Sequence, residues 1–316
     1  MSGANPRHVI AHHFDARITG LLRERWPDFA VVEVDAARAW RLPPETSALL
    51  SGPSRVWAGA PPHLPDNWPR GLRWVQIPGA GADAYPKWLL DHHVVTTGRG
   101  VNSVAIAEFA MASVLAQAKS LPAAWIKRHE DWRTVQLDTL AGRVLGLLGI
   151  GSVGSEIARR ALAFDMRVIA LRRSVERPMP DGVVRASSLD ELLSAADHLV
   201  LAAPHTPNTR HIIDRAAIGK MKPGLHLVNV ARGGLVDQDA LLAGLENGQV
   251  GAASLDVTEP EPLPASHPLY GHPGVRLSPH VAWNSPDTLD RLVHKFNDNL
   301  TRLIDRQPLI DVFNAA

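Results

Sequence analysis

Four short runs in this chain combine residue types and spacings that can do chemistry. Gly149–Ile150–Gly151–Ser152–Val153–Gly154 is a G-x-G-x-x-G run. Asn229–Val230–Ala231–Arg232–Gly233–Gly234 sets an arginine among small residues. Leu255–Asp256–Val257–Thr258–Glu259–Pro260–Glu261–Pro262 carries carboxylates, and Ser278–Pro279–His280–Val281–Ala282–Trp283 carries an imidazole. Arginine grips a carboxylate with a two-pronged fork. Histidine exchanges a proton near neutral pH. A glutamate beside it can orient the ring and stabilise its protonated form.

The glycine run has a different use. Its first glycine permits a tight turn, its second lets backbone approach a pyrophosphate, and its third lets a helix pack closely on a strand. The pyrophosphate then meets free N–H groups and the positive end of the helix dipole, here at Ser152, Val153 and Gly154. The run carries weight because it follows the apolar stretch Val144–Ile150 and opens an amphipathic segment. An NAD site places an acid at the end of the next strand, about 20 residues on, to hold the ribose hydroxyls. This chain has Leu171–Arg172–Arg173–Ser174 there, and its first carboxylate is Glu176. Guanidinium and hydroxyl groups suit a 2′-phosphate. The expectation is therefore NADP(H), with NAD(H) as the alternative if the arginines are simply solvated or Arg172 stacks on adenine.

Elements must bring these runs together. Short apolar runs at His8–Ala11, Val31–Val34, Arg55–Ala58, Leu72–Ile77 and Val94–Thr97 read as strands, with helical stretches such as Ile18–Arg25 between them. Apolar residues at Ala107, Met111, Val114, Leu115 and Ala118 mark one face of a longer helix, with Asn102 or Ser103 as its cap. A second alternating run follows, with strands at Val144–Ile150, Arg167–Leu171, His198–Ala202, Leu225–Val230, Gly251–Leu255 and Val275–Leu277. Ser188 with Glu191 has the capping-box spacing, and Gly248 closes the helix Gln238–Asn247. Ser285 and Pro286 are expected to open the last helix. Trp125 and Trp132 lie on a mostly polar loop, Trp125–Asp138, and are expected to be core anchors, with interface residues as the alternative. Alternating strands and helices imply parallel sheets covered on both faces, with ligands outside the carboxyl ends of the strands.

Composition narrows the partners. Lys plus Arg number 33 against 32 Asp plus Glu, too even for a protein that tracks nucleic-acid phosphates. The absence of cysteine excludes disulfides, thiolate metal sites and a thiol nucleophile. Met1–Arg17 has no apolar core of a signal peptide, and the apolar stretch Val101–Ala118 is broken by Glu108. A cytoplasmic protein without membrane partners is expected. His12–His13, His92–His93, His267 and His272 lack the converging partners of a metal site, so no metal is expected.

The order G-x-G-x-x-G, N-x-A-R-G-G, L-D-V-x-E-P-E-P, S-P-H-x-A-W resembles the D-isomer-specific 2-hydroxyacid dehydrogenase family, glyoxylate/hydroxypyruvate reductases among them. The resemblance extends to Pro78–Asp83, similar to the family's substrate-carboxylate loop, to Gly100–Glu108, similar to its crossover, and to Pro204–Arg210, similar to its P-L-T-P-x-T-R loop. It implies that Arg232 binds the substrate carboxylate and polarises its carbonyl. It also implies that His280 is the general acid/base, and that Glu261, five residues after Asp256, is its acidic partner. Ala80 and Gly81 N–H groups would grip the substrate carboxylate a second time. Pro204, Thr209, Val230, Ala231, Arg232, Asp256 and His280 would line the cofactor, with Asp256 near the nicotinamide carboxamide. Two positions depart from the pattern. His205 replaces an aliphatic residue, and Trp283, where many members have glycine, could shape the substrate pocket.

The implied fold class is α/β, with two doubly wound parallel-sheet domains and a cleft between them. Residues 1–100 and 285–316 would form a flavodoxin-like substrate domain, and 101–284 a Rossmann dinucleotide-binding domain. The implied function is NADPH-dependent reduction of a 2-oxo acid of the glyoxylate or hydroxypyruvate kind to a D-2-hydroxy acid. The alternatives are an NAD-dependent D-lactate or phosphoglycerate type and a nonenzymatic dinucleotide-sensing scaffold. A homodimer is implied, with the helix after Val101 and the Trp125–Trp132 loop as interface elements.

Overall fold

The computed structural model describes residues 8–121, 123–173 and 177–313. Ser174, expected at the cofactor, lies outside the described residues. The chain divides into two compact units. One runs to Asn102 and resumes at Ser285; the other spans Ser103–Asn284.

The first unit contains β1 (Val9–His12), α1 (Ala16–Arg25), β2 (Ala30–Glu33), β3 (Thr46–Leu50), β4 (Trp74–Gln76), α2 (Lys87–His92) and β5 (Val94–Thr96). The strands form a parallel sheet in the order β2-β1-β3-β4-β5. Asp15 caps α1 by accepting from the N–H groups of Arg17 and Ile18. The C-terminal helix, Thr288–Ile304, packs on one face, where Phe296 stacks on Trp74 with ring centroids 4.8 Å apart. Trp57, Trp68, Tyr85 and Trp88 fill the other face. A buried polar chain ties the layers. Trp74 Nε1 donates to Thr96 Oγ1, Thr96 Oγ1 donates to Gln76 Oε1, and Asn299 Nδ2 donates to that same oxygen.

Some local expectations give way here. Arg55–Ala58 is not a strand. Ser54–Trp57 is a single 3-10 turn that follows Pro53 and buries Trp57 among the aromatic rings. The central strand is instead β3, whose Thr-Ser-Ala-Leu-Leu sequence has Thr46 as its one β-branched residue and so gives little strand signal. Helix α2 was also not evident from spacing. The C-terminal helix begins at Thr288 rather than Pro286, because Ser285 Oγ turns to Asp287 Oδ1 and Thr288 Oγ1 instead of capping.

The second unit opens with α3 (Ser103–Ala118) and continues through β6 (Val144–Leu148), α4 (Ser152–Ala163), β7 (Arg167–Leu171), β8 (Val183–Arg185), α5 (Leu189–Ala195) and β9 (His198–Leu201). It closes with α6 (Arg215–Ile218), β10 (Leu225–Asn229), α7 (Gln238–Glu246), β11 (Val250–Leu255) and β12 (Val275–Leu277). Its sheet is parallel, in the order β12-β11-β10-β9-β6-β7-β8. Strand β8 has only three residues, too short a run to show a period in the sequence. Neither Asn102 Oδ1 nor Ser103 Oγ caps α3; both are buried without a partner among the described residues. The inner strands β6, β9 and β10 are buried on both faces, which accounts for their largely apolar runs. Leu145, Leu147, Val200 and Val228 pack under α3 and α4. Leu148, Leu199, Leu201 and Leu227 pack under α5 and α7. Ser188 Oγ accepts the Glu191 N–H, while the Glu191 carboxylate reaches back to Ser187 N rather than to the cap itself.

Trp125 and Trp132 are 67% and 80% exposed, which corrects their placement in the core. They stand on an irregular surface segment with no period to turn them inward. No described helix is long and apolar enough to cross a membrane. Among the described residues no group of His, Asp or Glu could hold a metal ion.

Candidate active site

The order of the larger sheet reverses at β6, which lies between β9 and β7. In open parallel sheets ligands bind outside the carboxyl ends at such a point. The glycine run begins there, one residue after β6 ends. Gly149 has φ +100°, and a Cβ on it would come within 2.7 Å of the Ala202 carbonyl oxygen. A Cβ on Gly154 would come within 2.3 Å of the Gly149 oxygen, so helix and turn are in contact. Gly151 differs: nothing lies within 4 Å of its Cβ position. It is the N-cap of α4 and caps with no side chain. Space in front of bare helix N–H groups, including those of Ser152 and Val153, fits a bound pyrophosphate.

Arg172 and Arg173 follow the end of β7. Arg172 donates from one guanidinium nitrogen to the Pro178 carbonyl at 3.0 Å, and Arg173 is exposed. Pro204 and Thr209 lie on the loop after β9. The Thr209 hydroxyl donates to Pro204 O at 2.8 Å and accepts from Thr206 N, so it shapes the loop internally. His205, on the same loop, has a buried Nε2 with no partner among the described residues and packs against Gly234.

Val230, Ala231 and Arg232 follow β10. The Asn229 side chain, 1% exposed, shapes this turn by accepting from Ala231 N at 3.1 Å and donating to Arg232 O at 2.9 Å. A Cβ on Gly233 would fall 2.0 Å from the Thr258 carbonyl carbon, so only glycine lets the turn pack on the next loop. Arg232 itself donates to Ala231 O.

The two glutamates after β11 are in different environments. Glu259 accepts from Arg210 at 2.8 Å and lies 3.4 Å from His211 Nε2. The Arg210 hydrogen bond is the main influence holding its carboxyl below the ordinary value. Glu261 Oε2 lies 2.9 Å from His280 Nδ1, and its Oε1 accepts from Thr258 N. Burial works to raise the Glu261 carboxyl. The hydrogen bond and charge of His280, the Thr258 N–H and the Arg232 charge outweigh it and lower the carboxyl. Arginine, glutamate and histidine therefore share one electrostatic neighbourhood.

His280 has φ +54°, a left-handed conformation that costs an L-residue about 1–2 kcal/mol. Asp256, 3% exposed, is the centre of the loop that holds it. Its carboxylate accepts from Ser278 Oγ at 2.6 Å, Val281 N at 2.9 Å and Ala282 N at 2.9 Å. Its backbone oxygen accepts from His280 N. Trp283 Nε1 donates to His280 O at 2.8 Å. Sequence reasoning missed Asn229 and Ser278 as loop clamps, although short polar residues beside strand ends commonly bind backbone in this way. Ala80 and Gly81 lie in the first unit, after β4. Among the described residues no backbone acceptor takes either N–H.

These features define a Rossmann-type dinucleotide-binding unit with a histidine–carboxylate pair and an arginine at its carboxyl edge. Comparison with known proteins narrows the class. A model of the NAD binding domain of D-isomer specific 2-hydroxyacid dehydrogenases matches residues 111–282. Hydroxypyruvate reductase of Thermotoga maritima is 42% identical over 61% of this chain and 64% of its own length. Glyoxylate reductase of Aeropyrum pernix is 36% identical over 65% of each chain. D-3-phosphoglycerate dehydrogenase of Methanocaldococcus jannaschii is 38% identical over 59% of this chain and 36% of its own length. The match thus spans about a third to two thirds of these relatives. A family protein of known structure from Aeromonas salmonicida superposes with TM-score 0.84 at 29% identity, covering 98% of this chain and 99% of that one. One from Xanthobacter autotrophicus, solved with NADPH and MES, gives 0.81 at 26% identity, covering 98% of each chain. The chain belongs to the D-isomer specific 2-hydroxyacid dehydrogenase family.

Proposed function

We propose that the protein reduces a small 2-oxo acid, of the glyoxylate or hydroxypyruvate kind, to the D-2-hydroxy acid, using NADPH. The observation that carries this reading is the His280–Glu261 pair within the charge field of Arg232. Residues 103–284 form the dinucleotide unit in this reading. Gly151, Ser152 and Val153 hold the pyrophosphate, and Arg172 and Arg173 hold the 2′-phosphate. Pro204, Thr209, Val230, Ala231 and Asp256 line the rest of the dinucleotide.

When bound, the reduced dinucleotide supplies the hydride. The chain supplies position, charge and a proton. Arg232 grips the substrate carboxylate and stabilises negative charge growing on the carbonyl oxygen. Glu261 occupies His280 Nδ1, leaving Nε2 as the atom that gives its proton to that oxygen. Ala80 and Gly81 are carried over as backbone donors to the carboxylate on the resemblance of their turn. Trp283 is carried over as a wall against the substrate's side chain.

The test is oxidation of NADPH and of NADH with glyoxylate, hydroxypyruvate, pyruvate and phenylpyruvate. Turnover with NADPH is the expected result. Turnover with NADH alone would keep the chemistry and overturn the 2′-phosphate reading. Cofactor binding with no turnover on any of the four acids would overturn the substrate assignment and favour a dinucleotide-sensing role.

A further inference from the structure

Both peptide planes that flank the His280 Cα are fastened. The plane before it donates its N–H to the Asp256 carbonyl at 2.9 Å. The plane after it is held at both ends. Its N–H, from Val281, goes to Asp256 Oδ1 at 2.9 Å, and its carbonyl accepts from Trp283 Nε1 at 2.8 Å. These planes set φ and ψ of His280, and so the direction in which its Cβ leaves the backbone. With φ at +54° the residue is in a conformation it would not keep unaided. Asp256 fastens the loop from the sheet side through main-chain and carboxylate oxygens. His280 N is also within hydrogen-bond reach of Ser278 O at 3.0 Å, and the His280 carbonyl is held by the indole N–H of Trp283.

We propose that Trp283 is a positioning residue for His280: its Nε1–H locks the 280–281 peptide plane, and with it the imidazole aim that joins Nδ1 to Glu261. This assigns the tryptophan a part in proton transfer rather than in substrate shape alone. It rests on the reading of His280 as the proton donor. Without the indole donor, the 280–281 plane keeps only its Val281 N–H tether to Asp256; its carbonyl end swings about that tether, φ and ψ of His280 shift, and the ring moves off Glu261. Misplacement of a reacting group by about 1 Å can cost on the order of 100-fold in rate.

The test replaces Trp283 in the full chain by β-(3-benzothienyl)alanine, which keeps the bicyclic shape and loses the N–H; Trp283→Phe is made alongside. Measured are kcat and KM for the 2-oxo acid, Kd for NADPH, thermal midpoint, the pH profile of kcat/KM, and the downfield NMR resonance of the His280 Nδ1–H. The expected result for the benzothienyl variant is a kcat lower by about 10- to 100-fold, with KM, NADPH Kd and thermal midpoint near those of the parent. Its histidine limb in the pH profile moves, and its Nδ1–H resonance is lost or shifted. An unchanged kcat, pH profile and resonance would overturn the proposal. A rise in KM at unchanged kcat and resonance would also overturn it, and would leave Trp283 as a pocket wall. His280→Ala separates the two levels. Turnover surviving that change within tenfold would overturn the proton-donor reading itself, whereas the resonance reports the lock independently of turnover.

Discussion

In the proposed reaction, the His280–Glu261 pair places the proton chemistry on one atom. With Nδ1 committed to Glu261, His280→Ala is expected to lower turnover by about 10²- to 10⁴-fold while NADPH affinity, read by fluorescence titration, stays within twofold. Survival of turnover would remove His280 from the mechanism. Glu261 carries a stability term of known sign. Its folded carboxyl lies below the ordinary value, so its contribution is present above the usual carboxylate range and is lost as pH falls through the lowered value. Cofactor choice is decided at residue scale as well. Arg172→Ala with Arg173→Ala should raise KM for NADPH at least tenfold and leave KM for NADH nearly unchanged. Equal effects on the two cofactors would show that the arginines do not read the 2′-phosphate. The pairing of His280 with Glu261 rather than Glu259 was suggested by resemblance alone. Spacing leaves the choice open, because the competing partners Arg210 and His211 arrive from a loop some 50 residues away.

At the scale of elements, the glycine turn separates packing from binding. A Cβ on Gly154 meets backbone, whereas one on Gly151 meets empty space. Gly154→Ala is therefore expected to destabilise the protein by about 1–3 kcal/mol in urea unfolding. Gly151→Ala should leave the unfolding midpoint near the parent's and weaken dinucleotide binding at least tenfold by calorimetry. A Gly151 variant with full affinity would move the pyrophosphate away from this turn. Long apolar strands such as β6 and β10 were legible in the sequence because both their faces are buried. Strand β3 was not, since its Thr-Ser-Ala-Leu-Leu run becomes a strand through its neighbours β1 and β4. The 3-10 turn at Ser54–Trp57 has apolar residues that mimic a strand, and aromatic packing decides between the two.

At the scale of the molecule, buried imidazoles set the acid limit. His12 and His13 in the first unit are pushed by burial to about 4, and His226 in the second to about 3. Each is buried neutral, so the unfolded chain binds the extra proton. Their contribution is complete above the ordinary histidine value near 6.5 and declines as pH falls toward the folded values. Each such proton steepens the loss by up to about 1.4 kcal/mol per pH unit. The urea midpoint should therefore fall between pH 6.5 and pH 4.5, the range in which these imidazoles begin to titrate in the unfolded chain. A flat midpoint across that range would contradict the neutral burial. We propose that the exposed Trp125 and Trp132 are covered in the homodimer that the family resemblance implies. Light scattering should give twice the chain mass, and Trp132→Ser should weaken that association.

The sequence by itself determined the alternating β and α order, the glycine turn that opens a helix after a buried strand, and the presence of Arg, Glu and His beside strand ends. These are local signals, set by periodicity and by conformational demands within a few residues. Only the tertiary structure decided which carboxylate meets the imidazole, that Asp256 holds the histidine loop, that Trp283 binds the His280 carbonyl, and that Trp125 and Trp132 stand in solvent. Hydrogen-bond partners and burial depend on segments that are distant in the chain and meet only when the sheet is assembled, and spacing along one segment carries no record of the other.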